Sequence, residues 1–194
     1  MTAVEARNSR DTPPDDPLAA AHAREAALEA EVHRLSRDDL TGFLRRGPWG
    51  QQAAEALLHL GSDALLLITD LDRFKRINDR FGHRGGDVVL RTQAHRLRES
   101  LPSTAVLGRL GGDGGDEFLA LTERDAVDLQ NLVQVLARPV EILGRAVPVS
   151  ASVGAAVRPA CAPAPLLADL LATADDALYE AKTAGRGSCR IRTC

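Results

Sequence analysis

The rhythm of hydrophobic and polar positions changes several times along the chain, and each change predicts an element. Residues 1–16 carry almost no large apolar side chains and include Pro13-Pro14, so they cannot offset the entropy of ordering and are expected to form a disordered tail. Asp16-Pro17 is a helix start, because an Asp side chain can cap orphan N–H groups and Pro tolerates the first helical position. The helix it opens, to about residue 37, puts Leu18, Ala21, Leu28, Val32 and Leu35 on an a/d stripe that Glu25 interrupts. Such a stripe fits either a parallel dimerising stalk or an amphipathic helix packed on its own domain. Asp38-Asp39-Leu40-Thr41-Gly42 reads as a hinge into a second helix over 48–60. The continuous apolar run 64–69 suits a central strand buried on both faces, and it ends in Asp70-Leu71-Asp72. A short helix is expected over 73–78 and a longer one over 86–101. The strand-like runs 104–110 and 117–121 flank a Gly/Asp cluster, which is a hairpin signal. A helix over 125–136 follows. Over 147–157 apolar residues alternate with Pro148, Ser150, Ser152 and Gly154, as in a half-buried strand whose Pro148 end lies at a sheet edge. A helix over 165–183 and a short edge strand over 188–192 complete the pattern. Strands and helices interleave with hairpins between, so the fold class is α+β.

Length and charge narrow the function. The 194 residues suffice for one globular domain plus a short appendage. No apolar run approaches the ~18–20 residues of a membrane helix, and the N-terminus lacks the apolar stretch of a signal peptide, so a cytoplasmic location is expected. A formal net charge of -3 gives no bulk positive surface for nucleic acid. Cys161, Cys189 and Cys194 are odd in number and lack C-x-x-C spacing, which argues against a disulfide framework or a structural zinc site. Of the 24 basic residues only two, Lys75 and Lys182, are lysines. The five histidines carry no pattern of their own.

Candidate chemistry gathers at two strand ends. Asp70 and Asp72 follow one strand, and Asp113, Asp116 and Glu117 lie in the glycine-rich turn before another, where carboxylates are held rigidly and suit a hard cation such as Mg²⁺. Asp72 has an alternative role as N-cap of the helix that follows. Arg73-Phe74-Lys75 at that helix start offers free N–H groups and a cation to phosphate. Lys182 and Arg186, at i and i+4 near a helix end, are placed to project the same way toward phosphate, or to be a solvated terminus.

Asp38-Asp39-Leu40-Thr41-Gly42, the run 70–79, Phe81-Gly82-His83-Arg84-Gly85-Gly86-Asp87, Gly114-Gly115-Asp116-Glu117-Phe118, Ser152-Val153-Gly154 and the run 174–186 occur in the order of the motifs of GGDEF-type diguanylate cyclases, which this chain closely resembles over about residues 38–192. Both lysines fall inside these motifs. The resemblance implies a nucleotidyl-cyclase-like, palm-related fold: a five-stranded, mostly antiparallel sheet surrounded by helices and preceded here by the coiled-coil-like helix. The chain is thus expected to have three segments: a tail, 1–16, and a stalk, 17–37, read from the pattern, and a GGDEF domain, 38–194, implied by the resemblance. The reaction implied joins two GTP into cyclic di-GMP and releases two pyrophosphates. By carry-over, Asp70, the Leu71 carbonyl, Asp116 and Glu117 would hold Mg²⁺ or Mn²⁺, with Glu117 beside the 3′-hydroxyl. Phe74, Lys75, Lys182 and Arg186 would hold the β and γ phosphates, and Asn78 and Asp87 would read guanine. One GTP per half-site implies a homodimer, for which the N-terminal helix offers a contact.

The sequence departs from the family at three places. The turn reads Arg109-Leu110-Gly111-Gly112-Asp113 and then a second Gly-Gly-Asp, three residues longer than the usual signature. Either Asp116 keeps its place beside Phe118 and the extra residues bulge away, or the carboxylates are displaced and Asp113 competes as a ligand. The family's product-inhibition Arg-x-x-Asp is absent, since residues 102–105 and 105–108 supply neither its Arg nor its Asp. Arg45 replaces a common Asn. Two readings follow: an active cyclase, or a weak or inactive GGDEF module that binds GTP or a protein partner for regulation. The input signal is expected to come from a partner or from a preceding segment of a longer protein.

Overall fold

A computed structural model describes residues 17–60, 63–110, 115–160 and 166–194; the expected tail, Cys161 and Asp113 lie outside them. The chain divides into two compact units, residues 1–36 and 37–194. The described part of the first is helix α1 (Pro17–Leu35), which buries none of its side chains. Leu18, Leu28, Val32 and Leu35 on the expected stripe are all more than half exposed.

The second unit is a mixed sheet with helices on both faces. Its elements are β1 (Leu44–Arg45), α2 (Arg46–His59), β2 (Ala64–Leu71), α3 (Phe74–Ser100), β3 (Val106–Leu110), β4 (Glu117–Glu123), α4 (Leu129–Leu136), β5 (Val140–Ile142), β6 (Arg145–Val147), β7 (Ala151–Arg158), α5 (Leu167–Thr183) and β8 (Cys189–Thr193). The sheet order is β1-β3-β4-β2-β7-β8, with β5 and β6 a separate hairpin. The five principal strands are antiparallel except for β8, which runs parallel to β7 along the edge. The two-residue β1 adds a short parallel pair beyond β3.

Period-two alternation divides the sheet between two cores. Leu65, Leu67, Phe118, Ala120, Val153 and Ala155 face α3, α4 and the β5–β6 hairpin. Ala64, Leu66, Ile68, Leu119, Leu121 and Ala156 face α2 and α5. The same parity carries Asp70 on β2 and Glu117 on β4 to the α2/α5 face.

Three expectations need correction. The strand over 147–157 is two elements, β6 and β7, and β7 is buried on both faces. Its small residues answer to close packing: a Cβ at Gly154 would run into the α5 backbone at Ala174 and Leu178. Pro148 lies between β6 and β7, outside the ladder, so it marks no edge. The two helices expected over 73–78 and 86–101 are both present, and within α3 the non-helical Gly82, where φ is 69°, separates them. The helix expected over 125–136 begins later; Arg124–Ala126 is a 3₁₀ turn, and Asp128 caps α4 by accepting from the N–H groups of Gln130 and Asn131.

Candidate active site

The site is built where β2 ends between its two antiparallel neighbours. The β2 register places Asp70 opposite Glu117 on β4 and opposite Ser152 on β7. Two carboxylates directly across a strand pair repel one another, so the pairing costs stability unless a cation lies between or beside them. Lys182 on α5 supplies one, with its Nζ 2.8 Å from Asp70 Oδ2. Burial pushes the Asp70 carboxyl up, and Asp116 and Asp72 push it further against the pull of Lys182. Burial also raises Glu117, aided by Asp70, Asp116 and Asp175 and opposed by Lys182. A cavity of about 380 Å³ between α2 and α5, lined by Trp49 and Leu171, has Glu117 and Asp175 in its wall.

Asp116 and Leu71 meet through the backbone, where the Leu71 N–H donates to the Asp116 carbonyl at 3.2 Å. The seven-pair β2–β4 ladder therefore fixes Glu117 and Phe118, and Asp116 stays beside the β2 end although the turn is lengthened. Asp113 lies outside the described residues.

Asp72 is not the N-cap of the helix that follows it. Arg73, with φ 58°, precedes the first turn of α3 and no side chain caps that turn. The nearly buried Asp72 carboxylate instead accepts from Ser150 Oγ at 2.7 Å, Ser152 Oγ at 2.7 Å and the Gly187 N–H at 2.9 Å. It joins the β2 end to the start of β7 and to the loop after α5. This role carried a signal in Ser150-x-Ser152, which the alternation pattern disguised as solvent-facing polarity.

Lys182 and Arg186 do not share a helix face. Helix α5 ends at Thr183, and Arg186 lies beyond it in a left-handed turn, with φ 68°. They still converge on the β2 end, since Arg186 Nε is 4.0 Å from Asp72 Oδ1 while Lys182 holds Asp70. Phe74 starts α3 with its ring buried in the core, leaving only its backbone for a ligand. Lys75 is exposed in the same turn and forms no ion pair among the described residues. Asn78 and Asp87 lie on either side of the Gly82 kink, both partly buried. Gly86 is needed there, because a Cβ would collide with the Asn78 amide.

A second connection escaped the sequence reading. Asp38 Oδ1 accepts from the Thr41 N–H and hydroxyl and from Arg109 Nη1 at 2.8 Å. Arg109 Nε donates to the Gly115 carbonyl at 2.7 Å. One guanidinium thus ties the hinge at residues 38–42 to the lengthened turn.

The profile of the family described as "Diguanylate cyclase, GGDEF domain" matches residues 35–188. The chain is a GGDEF-domain protein. Its domain is 42% identical, over 85% of this chain and 88% of the relative, to an uncharacterized 19.3 kDa protein of Streptomyces ambofaciens. It is 37% identical to the diguanylate cyclase TpbB of Pseudomonas aeruginosa over 82% of this chain, but spans only 38% of that protein's length. The solved GGDEF domain of TpbB superposes with a TM-score of 0.70 at 36% identity, covering 80% of this chain and 93% of that one. The solved coiled coil and GGDEF domain of Caulobacter crescentus DgcB, in complex with c-di-GMP, has a TM-score of 0.73 over 91% of this chain and 95% of that one; at 22% identity it supports the fold alone. No described helix of this GGDEF protein is long and apolar enough to cross a membrane.

Proposed function

We propose that this GGDEF domain, taken as residues 38–194, is a metal-dependent diguanylate cyclase that condenses two GTP into cyclic di-GMP and releases two pyrophosphates. The observation that carries the reading is the convergence of Asp70, Glu117 and Lys182 on one sheet face at the β2 end, beside the turn into α3. The 3′-oxygen of one GTP attacks the α-phosphorus of the other, the bond to pyrophosphate breaks, and Glu117 would take the hydroxyl proton. Repeating the step in the opposite sense closes the ring.

Asp70, the Leu71 carbonyl, Asp116 and Glu117 would hold Mg²⁺ or Mn²⁺. This all-oxygen set fits a hard cation, and the burial and repulsion that raise Asp70 and Glu117 are what a divalent charge relieves. Among the described residues no three His, Cys, Asp or Glu side chains are grouped to hold a metal ion unaided; phosphate oxygens completing the shell would suit Mg²⁺. When bound, the ion neutralises phosphate charge and lowers the pKa of the attacking hydroxyl. Lys182 would exchange Asp70 for the β and γ phosphates, joined by Lys75, Arg186 and the Phe74 N–H. Asn78 and Asp87 would read guanine, since a carboxylate accepts from its ring N–H and amino group where adenine offers no match.

Each domain holds one GTP, so two domains must face each other. The exposed apolar stripe of α1 would serve as the tether, raising the effective concentration of one domain near its copy. A second reading, a regulatory module with little turnover, is favoured by the three extra residues of the turn. Incubating the chain with GTP and Mg²⁺ or Mn²⁺, then separating nucleotides by chromatography, decides between them. Cyclic di-GMP formed by the chain and not by Asp70→Ala supports the cyclase; GTP binding without product supports the regulatory module.

A further inference from the structure

The cavity of about 380 Å³ between α2 and α5 opens beside Glu117, and the proposed reaction leaves it unused. Its body is apolar, walled by Trp49, Ile68, Leu119 and Leu171. The Trp49 ring is held in place, because its Nε1 donates to the Val106 carbonyl at 2.9 Å. Glu117 and Asp175 share one part of the wall. Asp70 and Asp116 add to the negative field at Glu117, and Lys182 partly offsets it. Arg46, the cation in the lining, is exposed at the start of α2, where water and salt screen it. Gly50 also lies in the wall, inside α2, where Ala would favour the helix more. A Cβ there would meet no atom within 4 Å, so packing does not require the glycine, whereas an open wall does.

An apolar chamber with a carboxylate pair on one side selects a ligand with an apolar body and a single positive head. A bare metal ion would leave the hydrocarbon walls empty, and an anion would meet Glu117 and Asp175. An amidinium or ammonium carried on an aromatic ring satisfies both parts, with charge-assisted N–H bonds to the carboxylates and the ring against Trp49 and Leu171. The volume is that of an ordinary small-molecule pocket.

We propose that this cavity is an effector site for small aromatic cations. Occupancy engages Glu117 and so withdraws it from the divalent ion. That antagonism, unlike the binding itself, rests on the cyclase reading.

The test is an NMR titration of the isotope-labelled full chain with benzamidine, neutral benzamide and anionic benzoate, followed at the indole N–H of Trp49, the only tryptophan. Benzamidine should shift that resonance saturably and bind about tenfold or more tightly than benzamide, with benzoate inert. Asp175→Asn and Glu117→Gln should each weaken it roughly tenfold. Gly50→Leu, which puts a side chain in the open wall, should abolish it. Asp175 is exposed, so its variant reads binding with the fold intact. Asp176 is an exposed carboxylate paired with Arg192, and Asp176→Asn should bind like wild type. No saturable shift in wild type, equal affinity for benzamide, binding kept in both Asp175→Asn and Gly50→Leu, or binding lost in Asp176→Asn overturns the proposal. Binding in the expected pattern that Ca²⁺ with GTP does not weaken supports the cavity and refutes Glu117 as a metal ligand.

Discussion

Replacing Asp72 separates a structural carboxylate from a metal ligand. Its side chain accepts three hydrogen bonds, from Ser150, Ser152 and Gly187, and is almost fully buried. Hydrogen bonds to a charged group contribute ~1.5–3 kcal/mol each, but in Asp72→Ala the two hydroxyls can reorient and water can enter the space. The expected net loss is about 3–5 kcal/mol, as for one partner removed from a buried charged network. At ~2–4 °C per kcal/mol for a domain of this size, the melting temperature falls by about 10 °C. Asp72→Asn behaves differently. Its oxygen can occupy the Oδ2 position and accept from both Ser150 and Gly187, while its amide donates to the Ser152 hydroxyl, which leaves only the Ser152 proton without its former acceptor. A loss of only about 1 kcal/mol is expected. Urea denaturation followed by circular dichroism, without nucleotide or metal, measures both variants. If Ala costs less than about 1 kcal/mol, or Asn costs as much as Ala, the tie between β2, β7 and the post-α5 loop is not what Asp72 supplies.

Four further outcomes follow from the site and its supports. Lys182→Met removes the cation facing Asp70 and should weaken GTP or pyrophosphate binding about 10–100-fold, measured by calorimetry with Ca²⁺ in place of Mg²⁺; unchanged affinity would exclude it from the phosphate site. Glu117→Gln relieves a carboxylate that burial and Asp70 oppose, so it should abolish product while raising the urea midpoint above pH 6; a lower midpoint contradicts the repulsion. Burial alone would raise Asp38, yet Thr41 and Arg109 hold it below the usual range; its stabilisation is present above the unfolded pKa of ~3.9 and is lost as pH falls through the lower folded value, so Asp38→Asn should flatten stability against pH below about 4. Gly154→Ala forces a Cβ into the α5 backbone and should cost about 1–3 kcal/mol in the same denaturation assay.

Where one local signal fixed an element, the sequence was readable. The apolar run of β2, the helix α5 and the edge strand β8 follow from periodicity and turn residues alone. The β5–β6 hairpin was hidden because its turn places Leu143 at φ 52° before Gly144, where Asn or Asp would have announced it. β1 is too short to have a period. In β7 the small residues Ser152 and Gly154 imitate exposed positions, but Ser152 answers to Asp72 and Gly154 to the closeness of α5. The site residues were nameable from motif order, but their partners were not. That Lys182 meets Asp70, that Asp72 joins three segments and that Arg109 reaches Asp38 depend on contacts 71 to 115 residues apart in sequence for the two hydrogen-bonded links, and no window of local pattern contains them.

The continuous ladder between β2 and β4 has a consequence for how such a turn can vary. Shifting β4 by one residue to absorb an insertion would exchange Phe118 and Ala120 with Leu119 and Leu121 between the two cores, and the misfit of side chains in both would cost several kcal/mol, on the order of 1–3 for each overpacked position. Lengthening the connection from Leu110 to Glu117 instead costs only chain entropy, about 0.6 kcal/mol for a doubling. Polymer statistics thus make the connection between β3 and β4 a cheap place to accept new residues, and a graft there of a short reporter or recognition sequence should leave the flanking strands in register.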